Sequence, residues 1–553
     1  MRFDKDDPHS YRAGRRHFLK LGLSAGASAF AVPAFAAGAG AQANVPEVEP
    51  FELDEVSLAD LSQGLQAGKY TSRSLTEKYL SRIGEIDTNG PGLNSVIELN
   101  PDALTLADSL DEERKSKGPR GPLHGIPILI KDNIGTADRM TTTAGSLALL
   151  GFTPPKDSAA ARQLRESGAL LLGKTNLSEW ANFRSSHSSS GWSGRGGQTH
   201  NPYAHDRSPC GSSSGSGAAV AASLCAAAVG SETDGSIVCP SSANGIVGIK
   251  PTVGLISRAG IIPISHSQDT AGPMARSVRD AAMLLGGLTG VDADDPATKV
   301  PGRRAAADYT KFLDRGGLKG ARIGVVRKAY DFDESVRTVL ANAYDVMRQE
   351  GAVLIDPIEI ASLGKFDDSE TDAMLYEFKH DLNAYLAGAG PRVPVRSLKE
   401  LIAINETYAD RELRYFGQDL FVKSEKKGPL TDKKYLDALA KNHLLTREQG
   451  IDGVMAKHRL DALVAPTAGP TWLIDLIDGD HDTGGTSSLA AVAGYPNINV
   501  PMGFVLGLPV GISFFGRAWS EPTLLKIAYA FEQSAPSRKP PRFLATADLS
   551  VHS

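Results

Sequence analysis

The sequence predicts an α/β protein, and three observations carry that prediction. Short apolar runs such as "IPILIK" stop abruptly at polar residues, as buried strands do where they reach a functional edge. Segments with apolar residues three and four positions apart lie between such runs. The stretch "DSAAARQLRESGALLLGKTN" joins the two patterns: a helix, a stop at Gly168 and a further buried strand, in βαβ fashion.

The elements follow in chain order. "SLADLSQGLQAGKYTSRSLTEKYLSRIGEID" reads as two helices split by a turn at Gly68 to Thr71, with Leu58, Leu61, Leu65, Leu75, Tyr79 and Ile83 facing inward. "GPLHGIPILIKDNIGT" gives a turn and a strand ending in Lys131, Asp132 and Asn133. From Trp192 to Gly217 the chain is rich in loop residues and culminates in "SPCGSSSGSG". The following "AAVAASLCAAAV" is expected to be one helix of small residues, packed closely on both sides. "ARIGVVR" and "GAVLIDP" read as strands flanking the helix "ESVRTVLANAYDVMRQE". Residues 365–455 are more polar and mostly helical, a peripheral region that shapes access to the core. "LDALVAPT" and "PVGISFFG" return to strands, and "TLLKIAYAFEQ" closes the chain with a helix.

Residues 1–43 read as a processing segment and not as part of the fold. "RAGRRHFLK" sets Arg15 and Arg16 before the weakly apolar "LGLSAGASAFAVPAFAAGAG", which Pro33 interrupts and which runs on to small residues suited to cleavage at "AFA" or "AQA". This is the pattern of a twin-arginine export signal, so the export machinery is an expected partner and the periplasm or the exterior the expected location. Residues 44–545 are then expected to form a single domain, with 546–553 as a tail. The formal charge of −5 gives no argument for nucleic acid, and no later apolar span has membrane length. A monomer or weak homodimer without stable membrane insertion is expected. The three cysteines, Cys210, Cys225 and Cys239, argue against a disulfide-built fold and leave room for one bridge; they make a poor metal site.

Three stretches carry candidate chemistry. Lys131, at the end of an apolar strand, is either a base that burial makes easier to deprotonate or the partner of a carboxylate such as Asp132. "GSSSGSG" lacks the Lys-Ser/Thr ending of a phosphate loop; its glycines permit close backbone approach and can hold one hydroxyl in a shared site. In "VGSETDGSIVCP", Ser236 is a candidate nucleophile, and the backbone amides of Thr233, Asp234, Gly235 and Ser236 can surround an oxyanion; the alternative is a simple hydroxyl-capped turn. His266 and Asp269 offer a conventional triad, yet nothing in the sequence ties them to Ser236, and G-x-S-x-G is absent around it.

These stretches together resemble the amidase signature family. Lys131 in "GPLHGIPILIKDNI", Ser212 in "SPCGSSSGSGAAVAA" and Ser236 in "VGSETDGSIVCPSSANGIVGIKPTVGLISR" fall in the order and spacing of that family's lysine, bridging serine and nucleophilic serine. "TTAGSLAL", "GKTNLSEWAN", "NPYAHDRSPCG", "SHSQDTAGPMARSV" and "AVAGYPNINVPMG" match as well. The resemblance implies a large, mixed, twisted β-sheet covered by helices on both faces, with no cofactor and no metal. It also implies a Ser-cisSer-Lys triad, in which neutral Lys131 takes the proton through Ser212 as Ser236 attacks an amide and forms an acyl-enzyme.

Two departures from the family pattern bear on specificity. "CGSSSGS" stands where "GGSSGGS" is common, and leaves Ser213 as a substrate contact; "ETDGS" stands for "DTGGS" and puts Asp234 where it can order the loop or meet a cationic substrate group. The "ETDGSIVCP" form is most like bacterial peptide amidases, which implies a short peptide amide as substrate and ammonia as product. Small aliphatic, aryl, cyclic or oligomeric amides are the alternative, and an inactive periplasmic binding protein is the alternative of another class. "EFKHDLNAYLAGAG" and "RELRYFGQDLFVKSEKKG" are expected at the substrate rim, with Arg411 and Arg414 meeting acidic groups or surface carboxylates.

Overall fold

The computed structural model describes residues 48–327 and 334–550, so the expected export segment lies outside it. Among the described residues the strands are β1 (Val96–Leu99), β2 (Pro127–Lys131), β3 (Leu170–Thr175), the short pair β4 (Trp192–Ser193) and β5 (Gly197–Gln198), β6 (Ala227–Glu232), β7 (Val247–Lys250), β8 (Thr270–Ala275), β9 (Arg322–Val325), β10 (Val353–Ile355), β11 (Ala462–Pro466), β12 (Asn497–Val505) and β13 (Leu508–Phe515). All but β4 and β5 join one 11-stranded sheet in the order β1-β3-β2-β6-β8-β7-β12-β13-β11-β9-β10. The sheet is mixed: β3, β2 and β6 run parallel, β6 and β8 antiparallel, and β11, β9 and β10 parallel again. It is the large, twisted, helix-flanked sheet that the sequence predicts.

Among the described residues the first nine helices are α1 (Leu58–Gln66), α2 (Ser72–Arg82), α3 (Ala103–Lys117), α4 (Ala159–Glu166), α5 (Ser214–Ala221), α6 (Val238–Ala243), α7 (Val278–Gly286), α8 (Glu334–Gln349) and α9 (Asp367–Gly388). Apolar spacing and side-chain caps agree at α1 and α2. Ser57 caps α1 by accepting from the Asp60 amide, and Thr71 and Ser74 form a reciprocal capping box on α2. Leu58, Leu61, Leu75 and Tyr79 are completely buried, on the faces the spacing predicts.

One expectation fails here. "AAVAASLCAAAV" is not a single helix: α5 ends at Ala221, Ser223 takes a left-handed turn with φ 54°, and Ala227 opens β6. A run of small apolar residues carries no periodicity that separates helix from strand, and the pairing of β6 with β2 and β8 decides. Gly230 of β6 has no room for a side chain, because a Cβ there would meet Ser213 Oγ at 2.7 Å. The chain beyond residue 545, expected as a tail, buries Ala547 against Ala204 and Leu508.

The region 365–455 is helical, as expected, and brings a core of its own. Leu375, Phe378, Leu382 and Leu386 of α9 pack with Phe421 against Trp180 and Phe183. Each such side chain contributes roughly 1.5–3 kcal/mol when fully buried, enough to hold the peripheral helices onto the loop after β3. The fully buried Arg184 adds an ion pair to Glu179 at 2.6 Å and a second to Glu412 at 3.5 Å.

Candidate active site

Parallel pairing of β2 with β6 brings their C-terminal ends side by side, the edge at which α/β sheets present functional groups. Lys131 is the last residue of β2 and is completely buried. Its Nζ donates to Ser212 Oγ at 2.7 Å, to Ser231 Oγ at 2.9 Å and to the Ser231 carbonyl at 3.1 Å. Among the described residues no carboxylate pairs with it directly; Asp132 instead accepts from Thr143 Oγ1 at 2.5 Å and lies 3.4 Å from Arg195. Burial drives the Lys131 ammonium down to about 7, against the weaker pull of Glu232 and Asp269. A neutral amine at that point can accept a proton from the hydroxyl it touches.

Ser212 stands before α5 in a loop laid across the end of β6, and the Gly211–Ser212 peptide bond is cis. The Ser213 amide donates to the Ser236 carbonyl at 3.1 Å, which docks this loop onto the loop after β6. Cys210 and Cys239 form a disulfide across the same two loops, while Cys225 is free and buried. The Ser213 side chain corrects its expected role as a substrate contact. It is completely buried, donates to the Ser231 carbonyl at 3.1 Å and accepts from the Ser231 amide at 3.2 Å, so it fastens the loop to β6.

Ser236 lies beside Gly235, whose φ of 77° belongs to the left-handed region that glycine enters without strain. The Ser236 hydroxyl has no hydrogen-bond partner among the described residues, and neither do the amides of Thr233, Asp234, Gly235 and Ser236. Amides and a hydroxyl without partners are groups a ligand oxygen could engage. Glu232 keeps the turn in shape: its Oε2 accepts from the amides of Ile237 at 2.7 Å and Val238 at 3.0 Å. Thr233 Oγ1 donates to Asp269 at 2.6 Å, and Asp269 also accepts from the amides of Ile264 and Ser265.

Asp234 orders the loop. Ser487 and Ser488 each donate to its carboxylate at 2.5 Å. Glu370 of α9 faces it, and burial together with the Asp234 charge lifts the Glu370 carboxyl well above its usual range. Gln268 Nε2 donates to Glu370 Oε1 at 2.9 Å and reaches the Thr233 carbonyl at 3.4 Å.

Two cavities flank the loop. The larger, about 500 Å³, is lined by Asn133, Ser231, Glu232 and Thr233 at one end and by Ile262, Ile264, Ala384 and Tyr385 along its walls. The smaller, about 280 Å³, is lined by Gly211, Asp234 and Gly235. Ala181 lines the first and the adjacent Asn182 the second. His266 lies at the rim of the larger cavity, bound through Nδ1 to Asp381 at 2.8 Å, and does not hydrogen-bond Ser236. Arg411 and Arg414 are exposed and line neither cavity; Arg414 lies over the Tyr415 ring.

Residues 74–525 match the amidase family model. The chain belongs to the amidase signature family. This amidase is 52% identical to the peptide amidase of Stenotrophomonas maltophilia, with a TM-score of 0.86 over 89% of this chain and all of the other. An amidase family protein of Bacillus anthracis superposes with a TM-score of 0.81 at 39% identity, over 89% of this chain and 93% of that one. A protein of Arabidopsis thaliana described as a probable amidase is 44% identical, over 90% of this chain and 93% of the relative.

Ser231, Glu232 and Asn133 are parts of this site that sequence reasoning missed. They lie within the quoted motifs, but their roles arise from contacts between β2 and β6 that spacing does not reveal.

Proposed function

We propose that this amidase removes the C-terminal carboxamide of short peptides as ammonia, with Ser236 as nucleophile, Ser212 as bridge and Lys131 as base. The observation that carries the reading is the completely buried Lys131 amine 2.7 Å from Ser212 Oγ, with no carboxylate bonded to it among the described residues. In this scheme neutral Lys131 draws the proton from Ser212, Ser212 draws it from Ser236, and Ser236 Oγ bonds to the amide carbon. The four free amides of residues 233–236 receive the oxyanion. The proton returns through Ser212 to the leaving nitrogen, the C–N bond breaks, and ammonia departs from the acyl-enzyme. Water then adds by the same route and frees the acid.

Similarity to a peptide amidase over nearly the whole described chain supports the peptide substrate, and a cavity of about 500 Å³ beside the loop is of the size that takes a small-molecule ligand. Ammonia release from matched free and C-terminally amidated peptides tests it, beside fatty, aryl and cyclic amides. Turnover confined to the nonpeptidic amides would reject the peptide reading. Retained wild-type turnover in Ser236→Ala would reject the nucleophile.

Export by the twin-arginine route belongs to the same proposal, supported by Arg15, Arg16 and the small-residue run after them. Arg15→Lys with Arg16→Lys in the producing cell is expected to hold the protein in the cytoplasm, as fractionation reads it.

A further inference from the structure

Glu370 is an acid that the proposed relay does not use, and it meets a second acid in the loop beside Ser236. It lies in the first turn of α9, is 7% exposed, and its carboxyl is in hydrogen-bond contact with that of Asp234. Two ionised carboxylates only accept, and two buried like charges repel, so carboxyls in such contact hold a proton between them.

The remaining contacts place that proton. Ser487 and Ser488 each donate to Asp234 at 2.5 Å, one to each carboxylate oxygen, which favours the ionised form of Asp234. Gln268 Nε2 donates to Glu370 Oε1 at 2.9 Å, so that oxygen is an acceptor and the other is left to carry the proton. No basic side chain is hydrogen-bonded to Glu370 among the described residues. The charged groups acting on the pair are Asp367 on α9, which opposes ionisation of Glu370, Glu232 on β6, and Lys250 at the end of β7, which steadies the Asp234 charge.

One side chain therefore holds two residues of the loop. Glu370 meets Asp234 directly, and through Gln268 it reaches the Thr233 carbonyl, 3.4 Å from Nε2. Gly235, next along the loop, has no side chain by which to be held. The same helix supplies Ala384 and Tyr385 to the larger cavity.

We propose that Glu370 is a positioning residue: its protonated carboxyl donates to Asp234 and, through Gln268, steadies Thr233, so that α9 sets the shape of the loop at residues 233–236. This rests on the reading of that loop given above and names the element that holds it.

Glutamine is the informative replacement, because its amide has an acceptor and a donor in the places of the protonated acid. Ammonia release from a carboxamide that the wild type turns over is the readout. Glu370→Gln is expected to keep kcat within about threefold of wild type, whereas Glu370→Met, which offers neither group, is expected to lose at least about tenfold. KM should change less than kcat in Glu370→Met, since the contact is with the loop and not with substrate. Losing the shared proton acts as the methionine does. Wild-type kcat is therefore expected to fall again on the alkaline side of the Lys131 plateau, below about pH 10 where exposed lysines begin to titrate, and Glu370→Gln to show no such fall.

Wild-type kcat in Glu370→Met, or equal losses in the two variants, would overturn the proposal. So would a wild type with no alkaline fall, or a fall that persists in Glu370→Gln and so belongs to Lys250 or to unfolding. Should Glu370→Met not fold, the pH profiles of wild type and Glu370→Gln decide. Failure of the underlying reading looks different: Ser236→Ala then keeps wild-type turnover, whatever the Glu370 variants do.

Discussion

Lys131 Nζ and Ser212 Oγ lie 2.7 Å apart in complete burial, and among the described residues no carboxylate is hydrogen-bonded to that amine. The charge of Lys131 is therefore set by desolvation, which places it at about 7.

Activity is expected to follow that value. Protonated Lys131 cannot accept, so kcat/KM rises with pH through a midpoint near 7, and the plateau lies above it. Lys131→Met is expected to lose about 10³-fold or more in kcat and to show no such limb, read from the pH profile of ammonia release.

The same burial weakens the folded state. Lys131 keeps its proton to about 10.5 when unfolded and to about 7 when folded, so between those values the unfolded chain binds more protons and stability rises with pH. Lys131→Met removes this penalty. Its advantage over wild type in urea unfolding is expected to grow as pH falls from about 10.5 to about 7 and to level off below.

Glu232 holds the turn after Ser236, the proposed nucleophile, through the amides of Ile237 and Val238. Glu232→Ala leaves both donors buried and is expected to lower unfolding stability by about 2–4 kcal/mol and kcat by at least about tenfold. Glu232→Gln keeps an acceptor oxygen and should retain most of both. Equal losses in the two variants would show that shape, and not the acceptor, matters.

Gly235→Ala tests the left-handed backbone beside Ser236. A Cβ there meets Ser487 Oγ at 3.0 Å, and φ of 77° strains any L side chain. An expected loss of about 1–2 kcal/mol in unfolding accompanies a fall in kcat of about 10²-fold if the proposed oxyanion amides shift. KM should change far less than kcat.

Cys239→Ser opens the bridge to Cys210. The expected cost is about 2–4 kcal/mol of stability. Because the bridge ties the Ser212 and Ser236 loops together, kcat should fall as well, and reductant should reproduce both effects in wild type but not in the variant.

Much of the fold was legible because its signals are local. Leu58, Leu61 and Leu75 mark their helix faces by spacing, and the abrupt end of "IPILIK" places Lys131 at a strand terminus. The boundary at Ala221 was not, since alanine and glycine suit helix and strand alike and only the partners β2 and β8 choose between them. The same limit applies in the site. Ser213 reads as an available hydroxyl, yet its loop folds it onto the Ser231 backbone; Asp234 reads as an odd neighbour, and its partners Ser487 and Ser488 are more than 250 residues away.

The bridge between Cys210 and Cys239 also changes the topology of the chain. It closes residues 210–239 into a ring that contains Ser212, α5, β6 and Ser236. The two hydroxyls of the proposed relay therefore sit on one covalent circle, with Lys131 threaded beside it on the neighbouring strand. Fraying of the sheet elsewhere can loosen the base from that circle but cannot part the two serines by more than the ring allows.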